Sequence, residues 1–139
     1  MNKIVIAAFL GFFLFLSCKN ETKTETQTNM IENPLLADWN TPFGVPPFDK
    51  IKSEDYLPAI REAIKVHKNE IDVIINNPDE ANFKNTIEAL EASGLLLSRV
   101  SSAFSSVSSA NTNDELKAAK KIISPELTAH RDDIRLNAD

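Results

Sequence analysis

The sequence predicts an all-α protein, and three observations predict it. Apolar residues recur at helical spacing in three segments that follow Ser53. Two of these segments open with a pattern typical of a helix N-terminus. None of them shows the polar–apolar alternation of a half-buried strand. Because 42% of the 139 residues are hydrophobic, we expect the chain to be able to build a small core.

The first 17 residues have the parts of an export signal. Lys3 supplies a positive start, Ile4–Leu16 is an uncharged and mostly apolar run, and Ser17 is a small residue before the only cysteine, Cys18. The run is shorter than the roughly 17–25 residues that a permanent membrane helix needs. Phe15 to Cys18 resembles the lipobox of bacterial lipoproteins, although Phe15 and Leu16 depart from its commonest form. We therefore predict a signal peptide over 1–17 and lipidation of Cys18.

The alternative is an ordinary signal peptide or anchor in which Cys18 is incidental. Against it, Cys18 has no possible disulfide partner within the chain and lies where the apolar run stops. A polar segment rich in Thr, Glu and Lys follows at once. Because such a segment has little apolar surface to bury, we expect 18–32 to be a disordered, lipidated tether.

A proline-rich stretch with aromatic residues comes next, over 33–48. Proline disfavours a regular helix here, so an extended segment is predicted. Trp39, Phe43 and Phe48 are expected to pin this segment onto a folded body, since a free tether rarely exposes large aromatic side chains.

The first predicted helix begins after Ser53 or Asp55, either of which could cap it. Pro58 favours Asp55, because Pro58 would then lie in the first turn. The helix should end at Asn76-Asn77-Pro78. Its apolar stripe comprises Leu57, Ile60, Ile64, His67, Ile71 and Ile74.

Two further helices are predicted. One begins near Asn85, with Glu88 completing a capping box, and continues past Gly94, which lowers its stability. The other begins at Thr112, with Glu115 three residues on. The second stripe comprises Ile87, Leu90, Leu96, Leu97, Val100, Ala103, Phe104 and Val107, and the third comprises Leu116, Ala119, Ile123, Leu127, His130 and Ile134.

The candidates for chemistry are few. His67 and His130 lie on the stripes of their helices and could meet to bind a metal, but a metal site needs three or four ligands. Packed histidines with local hydrogen bonds are the favoured interpretation. The net charge of −5 offers no basic patch for nucleic acid. We find no catalytic or metal-ligating residue from these patterns, and they leave substrate-binding residues unknown.

Serines and paired carboxylates have simpler explanations. No base accompanies the serines, so close helix packing is the favoured reason for them. The carboxylate pairs suit helix ends and solvated faces. The serines are Ser98, Ser101, Ser102, Ser105, Ser106, Ser108 and Ser109, and the pairs are Glu54-Asp55, Asp79-Glu80 and Asp132-Asp133.

Several blocks together resemble one enzyme family. Asn-Pro-Leu-Leu at 33–36 and Trp-Asn-Thr-Pro-Phe-Gly-Val-Pro-Pro-Phe at 39–48 resemble the N-terminal region of peptidyl-dipeptidases, zinc metallopeptidases like thimet oligopeptidase. Agreement continues, in order, across 33–139. The further blocks are Ile51–Ile60, Phe83–Glu91, Ser109–Leu116 and Ala129–Asp133.

The resemblance implies an all-helical, two-lobed enzyme that releases dipeptides from the C-termini of oligopeptides. It also implies a zinc ion on a His-Glu-x-x-His helix, with that glutamate helping to activate water. The family's metal helix lies far downstream of the matched region. We therefore expect 33–139 to be an incomplete N-terminal helical region, with zinc in the full-length enzyme but none bound by this chain.

Three functional hypotheses remain open at this stage. In the first, the chain is the front of an exported zinc peptidyl-dipeptidase, anchored in the cell envelope through Cys18. The alternative is a free-standing helical lipoprotein that binds a partner, and a third possibility is an inactive remnant.

Overall fold

The computed structural model describes residues 33–137. The predicted signal peptide at 1–17, the tether at 18–32 and the lipidation of Cys18 lie outside these residues. Across the described range the structure is helical and contains no strand, so the all-α prediction is confirmed. Its helices are α1 (Tyr56–Ile75), α2 (Ala89–Ala92), α3 (Leu95–Ala110) and α4 (Asp114–Arg135). Short turns of other helical types span Pro42–Gly44, Ser53–Asp55 and Phe83–Glu88.

Helix α1 is the centre of the fold, because it packs against both α3 and α4. Its predicted stripe is buried or half-buried along its whole length, and the helix ends at Ile75 as predicted. Tyr56 packs at a tilt on Phe104 of α3, with ring centroids 5.3 Å apart. The core comprises Leu35, Tyr56, Ala59, Ile60, Val100, Ala103, Phe104, Leu116 and Ile123.

Two ion pairs join the exposed edges of α1 and α4. Arg61 donates to both carboxylate oxygens of Glu126, with a shortest distance of 2.6 Å, and Lys68 lies 3.2 Å from Asp133. The Glu126 carboxylate raises the pKa of Arg61, and the guanidinium in turn lowers the pKa of Glu126. Such exposed pairs contribute little to stability, so the packing of α1 on α4 does not depend on them.

The segment that precedes α1 lies across the helices as a strap, residues 33–39. Leu35 is fully buried, and Asn33 donates from Nδ2 to the carbonyl of Asp55 at 2.8 Å. Trp39 lies beneath the guanidinium of Arg99, which is 4.6 Å from the ring centroid and also donates to the carbonyl of Ala37. The prediction that Trp39 pins this segment is confirmed.

The same prediction is wrong for the other two aromatic residues. Phe43 is fully exposed and Phe48 is about half exposed. Phe43 has φ = 63°, in the left-handed region, so its side chain projects from a tight Pro42–Gly44 turn instead of returning to the core. Proline does exclude a regular helix here, as predicted, but the chain forms turns instead of one extended run.

The first helix starts after Asp55 as predicted, but the residues whose side chains cap the helices differ from the predicted ones. The first helix is entered through the Ser53–Asp55 turn, where the Asp55 carboxylate accepts from the amide of Lys52 instead of capping forward. The third is capped by Asn113, not Thr112, since the Asn113 side chain accepts from the amide of Leu116. Neighbouring residues that can both cap a helix are therefore not told apart by residue type alone.

The second predicted helix is two helices preceded by a π turn. Asn82, not Asn85, caps it: its side chain accepts from the amides of Lys84 and Asn85, and Asn85 reciprocates to the amide of Asn82. Gly94 then breaks the run at φ = 70°, a conformation that glycine adopts without steric cost. In consequence Ile87 and Leu90, predicted to face the core, are exposed.

Candidate functional site

The two histidines of the chain meet where α1, α4 and the Ser93-Gly94 turn converge. Nε2 of His130 lies 3.0 Å from Nδ1 of His67, and the rings meet edge to face with centroids 4.9 Å apart. His130 is only 4% exposed. The two histidines were predicted to lie on the apolar stripes of their helices, from which they could meet and bind a metal. They do meet, because α1 and α4 pack along these stripes.

The hydrogen bonds around the pair run in one direction. The hydroxyl of Ser93 donates to the carbonyl of Leu90 at 2.7 Å, so its oxygen is left to accept from Nε2–H of His67 at 3.1 Å. With its hydrogen on Nε2, neutral His67 has an acceptor at Nδ1, which receives Nε2–H of His130. The chain of donors therefore runs from His130 through His67 to Ser93 and ends on the backbone.

One ring nitrogen stays without a partner. Nδ1 of His130 is buried and makes no hydrogen bond to any atom of residues 33–137. In the arrangement above this nitrogen carries a lone pair and no hydrogen. Burial lowers the pKa of His130, the neighbouring His67 and Lys68 lower it further, and the Asp133 carboxylate opposes them.

The turn that receives this pair is closely fitted to it. A Cβ atom built on Gly94 would lie 2.9–3.0 Å from three atoms of the His67 ring. The amide of Gly94 donates to the carboxylate of Glu70 on α1 at 2.7 Å. The backbone thus lies directly on the imidazole, and only a residue without a side chain allows this approach.

The pair does not fit a zinc ion. The two facing nitrogens are committed to each other, and Nε2 of His67 is committed to Ser93. Within residues 33–137, no three His, Cys, Asp or Glu side chains come together as a metal site requires. The carboxylate pairs Glu54-Asp55, Asp79-Glu80 and Asp132-Asp133 provide no such group either.

Ser93, His67 and His130 also have the connectivity of a nucleophile, a base and an orienting group. The donor directions oppose that role, because a base must accept from the serine, whereas the Ser93 hydroxyl donates to a backbone carbonyl. The adjacent Gly94 amide, which an oxyanion would need, is already bonded to Glu70. The arrangement is therefore a structural junction and not a hydrolytic triad.

Sequence reasoning missed Ser93, Gly94 and Glu70, because none of them stands in a motif with either histidine. The available signal was an isolated glycine within an otherwise helical pattern, which often marks a helix end or a close approach. The serines that were singled out lie elsewhere: most of those from 98 to 109 are exposed on α3, so close helix packing does not explain them. The exceptions are Ser101 and Ser108, whose hydroxyls are buried.

Two open grooves flank the core. One, of about 440 Å³, lies between the segment before α1 and the facing ends of α3 and α4, with Tyr56 and Leu116 at its floor. Burial there raises the pKa of the Tyr56 hydroxyl. The other, of about 390 Å³, lies between the ends of α1 and α4 and the Phe83–Glu88 turn. No helix in the described part of the chain is long and apolar enough to cross a membrane.

The comparisons with known proteins decide the kinship of the chain. Dipeptidyl carboxypeptidase of Salmonella typhimurium is 45% identical over 109 residues, which cover 78% of this chain and 16% of that protein. The chain is homologous to part of dipeptidyl carboxypeptidase. The Escherichia coli protein of the same name is 42% identical over 107 residues, 77% of this chain and 16% of its own length. The resemblance stated from the sequence blocks is thereby confirmed.

A more distant relative widens the kinship. Oligopeptidase A of Escherichia coli is 29% identical over 98 residues, or 70% of this chain and 14% of that protein. No protein-family model matches the chain. The chain spans about a sixth of the length of the dipeptidyl carboxypeptidases that it matches.

Proposed function

We propose that this chain forms part of the helical wall of a zinc-dependent peptidyl-dipeptidase, an enzyme that removes dipeptides from the C-termini of oligopeptides. The observation that carries the proposal is the 45% identity over 109 residues to a dipeptidyl carboxypeptidase. The relationship extends at lower identity to an oligopeptidase, so both relatives are named for action on short peptides. The proposed substrates are therefore oligopeptides.

The surface of the described residues supports a place within a larger body. Eleven large apolar side chains are exposed among the described residues, and exposed apolar surface of this kind can be covered by further protein. Four of them, Phe83, Ile87, Leu90 and Leu95, lie close in sequence around α2. The others are Phe43, Val45, Phe48, Val73, Ile75, Ile122 and Leu136.

In this proposal the described residues support the site and do not perform the chemistry. Zinc would polarise the peptide carbonyl and activate water. The described residues do not fit zinc, since no group of three ligands exists among them. The metal and the catalytic glutamate would belong to a His-Glu-x-x-His helix, a motif that the 139 residues do not contain. This chain would hold the channel's shape.

We further propose that the protein works in the cell envelope, anchored by a lipid on Cys18. The support is the order of Lys3, the apolar run Ile4–Leu16, Ser17 and Cys18, followed by a polar segment. Replacing Cys18 by Ala and following detergent–water partitioning tests it. The wild-type protein should be found in the detergent phase and the Cys18→Ala variant in the aqueous phase. Equal partitioning of the two would contradict the anchor.

The peptidase proposal has an inexpensive first test, which is to read the nucleotide sequence beyond codon 139. A continuing frame that encodes His-Glu-x-x-His supports it. A stop codon with no such sequence nearby instead favours a free-standing helical lipoprotein, for which the exposed apolar side chains around α2 would be a partner-binding surface.

The decisive test uses the complete gene product and a short peptide with a blocked N-terminus. Mass spectrometry should show release of C-terminal dipeptides, and a zinc chelator should abolish that release. A matched variant with Gln in place of the motif glutamate controls for contaminating peptidases. Release of single amino acids, or equal activity in the variant, would refute the proposal.

A further inference from the structure

The hydrogen bonds of the His67–His130 contact leave few places for an added proton. These are the only two histidines in the chain, and histidine is the side chain whose ordinary pKa lies between pH 5 and 8. Their contact has a hydrogen on Nε2 of each ring, with His130 donating to His67 and His67 donating to Ser93. The remaining nitrogen, Nδ1 of His130, is buried and has no hydrogen-bond partner in the described part of the chain.

A proton added to His130 must go to that nitrogen. The new N–H would then be buried with no acceptor, which carries the full cost of desolvating a charged donor. Nothing in the present set of hydrogen bonds offsets this cost, because the other nitrogen of His130 already donates to His67.

A proton added to His67 also ends with a hydrogen on Nδ1 of His130. Nδ1 of His67 would become a donor, so Nε2 of His130 would have to accept from it. His130 could do so only by moving its own hydrogen to Nδ1, again buried and unpartnered. Every singly protonated form of the intact contact therefore has a hydrogen on Nδ1 of His130, and the doubly protonated form has two donors facing each other.

The His67–His130 contact joins α1 to two other parts of the fold, the C-terminal end of α4 and the Ser93-Gly94 turn. His130 is the last buried residue of α4, after Leu116 and Ile123. The ring of His67 is also the surface on which Gly94 lies. Opening the pair would therefore loosen the C-terminal end of α4 and the Ser93-Gly94 turn while leaving the core around Ile60 in place.

We propose that the His67–His130 contact is a proton-sensitive latch, which holds the end of α4 and the Ser93-Gly94 turn against α1 at neutral pH and releases them on acidification. The charged groups around it are Lys68 and Glu70 from α1 and Asp133 from α4. Lys68 disfavours a proton on His130 and Asp133 favours one. The latch depends only on contacts within this chain, so it stands whether or not the chain is part of a peptidase.

The direction of the pH effect follows from linkage. The pKa of His130 in the folded chain is lowered from its ordinary value of 6.5, mainly by burial. The open state therefore binds the proton more tightly than the closed state. The stabilisation by the latch is complete above pH 6.5 and is lost as the pH falls from there through the lowered pKa.

The first test is nuclear magnetic resonance of the ring nitrogens in the full ¹⁵N-labelled chain, purified in detergent and titrated from about pH 8 to pH 5. At the upper end both rings should have their hydrogen on Nε2. His130 should take up its proton at a lower pH than free histidine does. A hydrogen on Nδ1 of either ring at neutral pH, or uptake at or above the pH of free histidine, would overturn the latch.

The second test is hydrogen exchange of backbone amides over the same range, corrected for intrinsic rates. Amides of 129–135 and of Gly94 should lose protection by up to about tenfold per pH unit for one proton, while those of 116–123 keep theirs. His130→Leu should remove this pH dependence, whatever its overall stability, because each variant is compared with itself. No acid response in the wild-type chain, or a full response in His130→Leu, would contradict the proposal.

Asp133→Asn is the matched control, since it removes the ion pair with Lys68 without touching either ring. If the histidines are the proton sensor, this variant keeps the acid response and shifts it to lower pH, because Asp133 favours the proton. If the ion pair itself were the sensor, the response would disappear, and the latch would be refuted.

Discussion

The helical core and the α2 arm are two regions of one short chain with opposite relations to solvent. The core, built by the strap (residues 33–39), α1, α3 and α4, buries side chains such as Leu35, Ile60 and Ile123 almost completely. The α2 arm, residues 76–93, contains no buried residue, although it carries Phe83, Ile87 and Leu90. Both regions have apolar residues at helical spacing, so periodicity alone did not separate them.

The difference shows which apolar side chains are covered by this chain itself and which would need another part of a protein to cover them. The buried cluster of the core is covered by side chains of residues 33–137 alone. The α2 arm is held by its cap at Asn82 and by the junction at Gly94, while its apolar side chains stay in solvent. Four substitutions test this contrast, in order of decreasing expected effect on the free energy of unfolding.

Ile60→Ala should have the largest effect, because Ile60 is fully buried between the helices of the core. Removing its outer carbons should lower the free energy of unfolding by about 2–5 kcal/mol, measured by urea denaturation followed by circular dichroism. Val73→Ala, on the same helix but 73% exposed, is the control and should change it by about 0.5 kcal/mol at most. Equal effects of the two variants would remove the contrast between core and surface.

Gly94→Ala should come next, with a loss of about 2–3 kcal/mol in the same measurement. The positive φ accounts for part of the loss, and the clash of the new Cβ with the His67 ring for the rest. Gly44→Ala separates the two causes, since Gly44 has a similar φ of 65° but nothing within 4 Å of its Cβ position. If the two variants lose equal stability, the contact between the new Cβ and the His67 ring does not contribute to the loss at Gly94.

Asn82→Ala removes the cap of the arm and should cost about 1 kcal/mol locally. Because the arm contains no fully buried side chain, we expect the loss to appear as faster amide exchange over 83–92, with little change in the free energy of global unfolding. Lys84→Ala is the control, since only its backbone amide takes part in the cap. A large drop in global stability would show that the arm belongs to the core's cooperative unit.

Phe83→Ser should have the smallest effect on this chain, within about 0.5 kcal/mol, because the side chain is 68% exposed. In the complete gene product the same substitution should be destabilising, if the arm packs there against further protein. Comparing melting temperatures of the two forms measures the difference. An effect that is negligible in both would argue against the α2 arm as a packing surface.

Much of the fold could be predicted from the sequence, because regular local patterns encode it. The stripe from Leu57 to Ile74 and the stop at Pro78 predicted α1 within a residue of its end. The full burial of Leu35 was not predicted, since the short apolar run Leu35-Leu36-Ala37 shows no helical or strand periodicity that would say which side chain faces the core. The cap at Asn82 was also missed, because the pairing residue is Asn85 where a capping box usually has Glu or Gln.

The candidate site was predicted only in part. Both histidines stood out by their places on apolar stripes, and packing with local hydrogen bonds was the favoured interpretation. Ser93, Glu70 and Gly94 complete the junction through contacts of residues 24 and 26 apart, for which a linear pattern contains no signal.

The sequence by itself determined which segments are helical, the all-α class and the kinship to dipeptidyl carboxypeptidase, because helical period and block similarity are properties of residue order. Only the tertiary structure decided which apolar faces are covered, which asparagine caps each helix and how the two histidines share their hydrogens. Burial and hydrogen-bond direction depend on partners distant in the chain. Ile87 and Ile60 both lie on predicted helical stripes, yet Ile87 is about half exposed and Ile60 is fully buried.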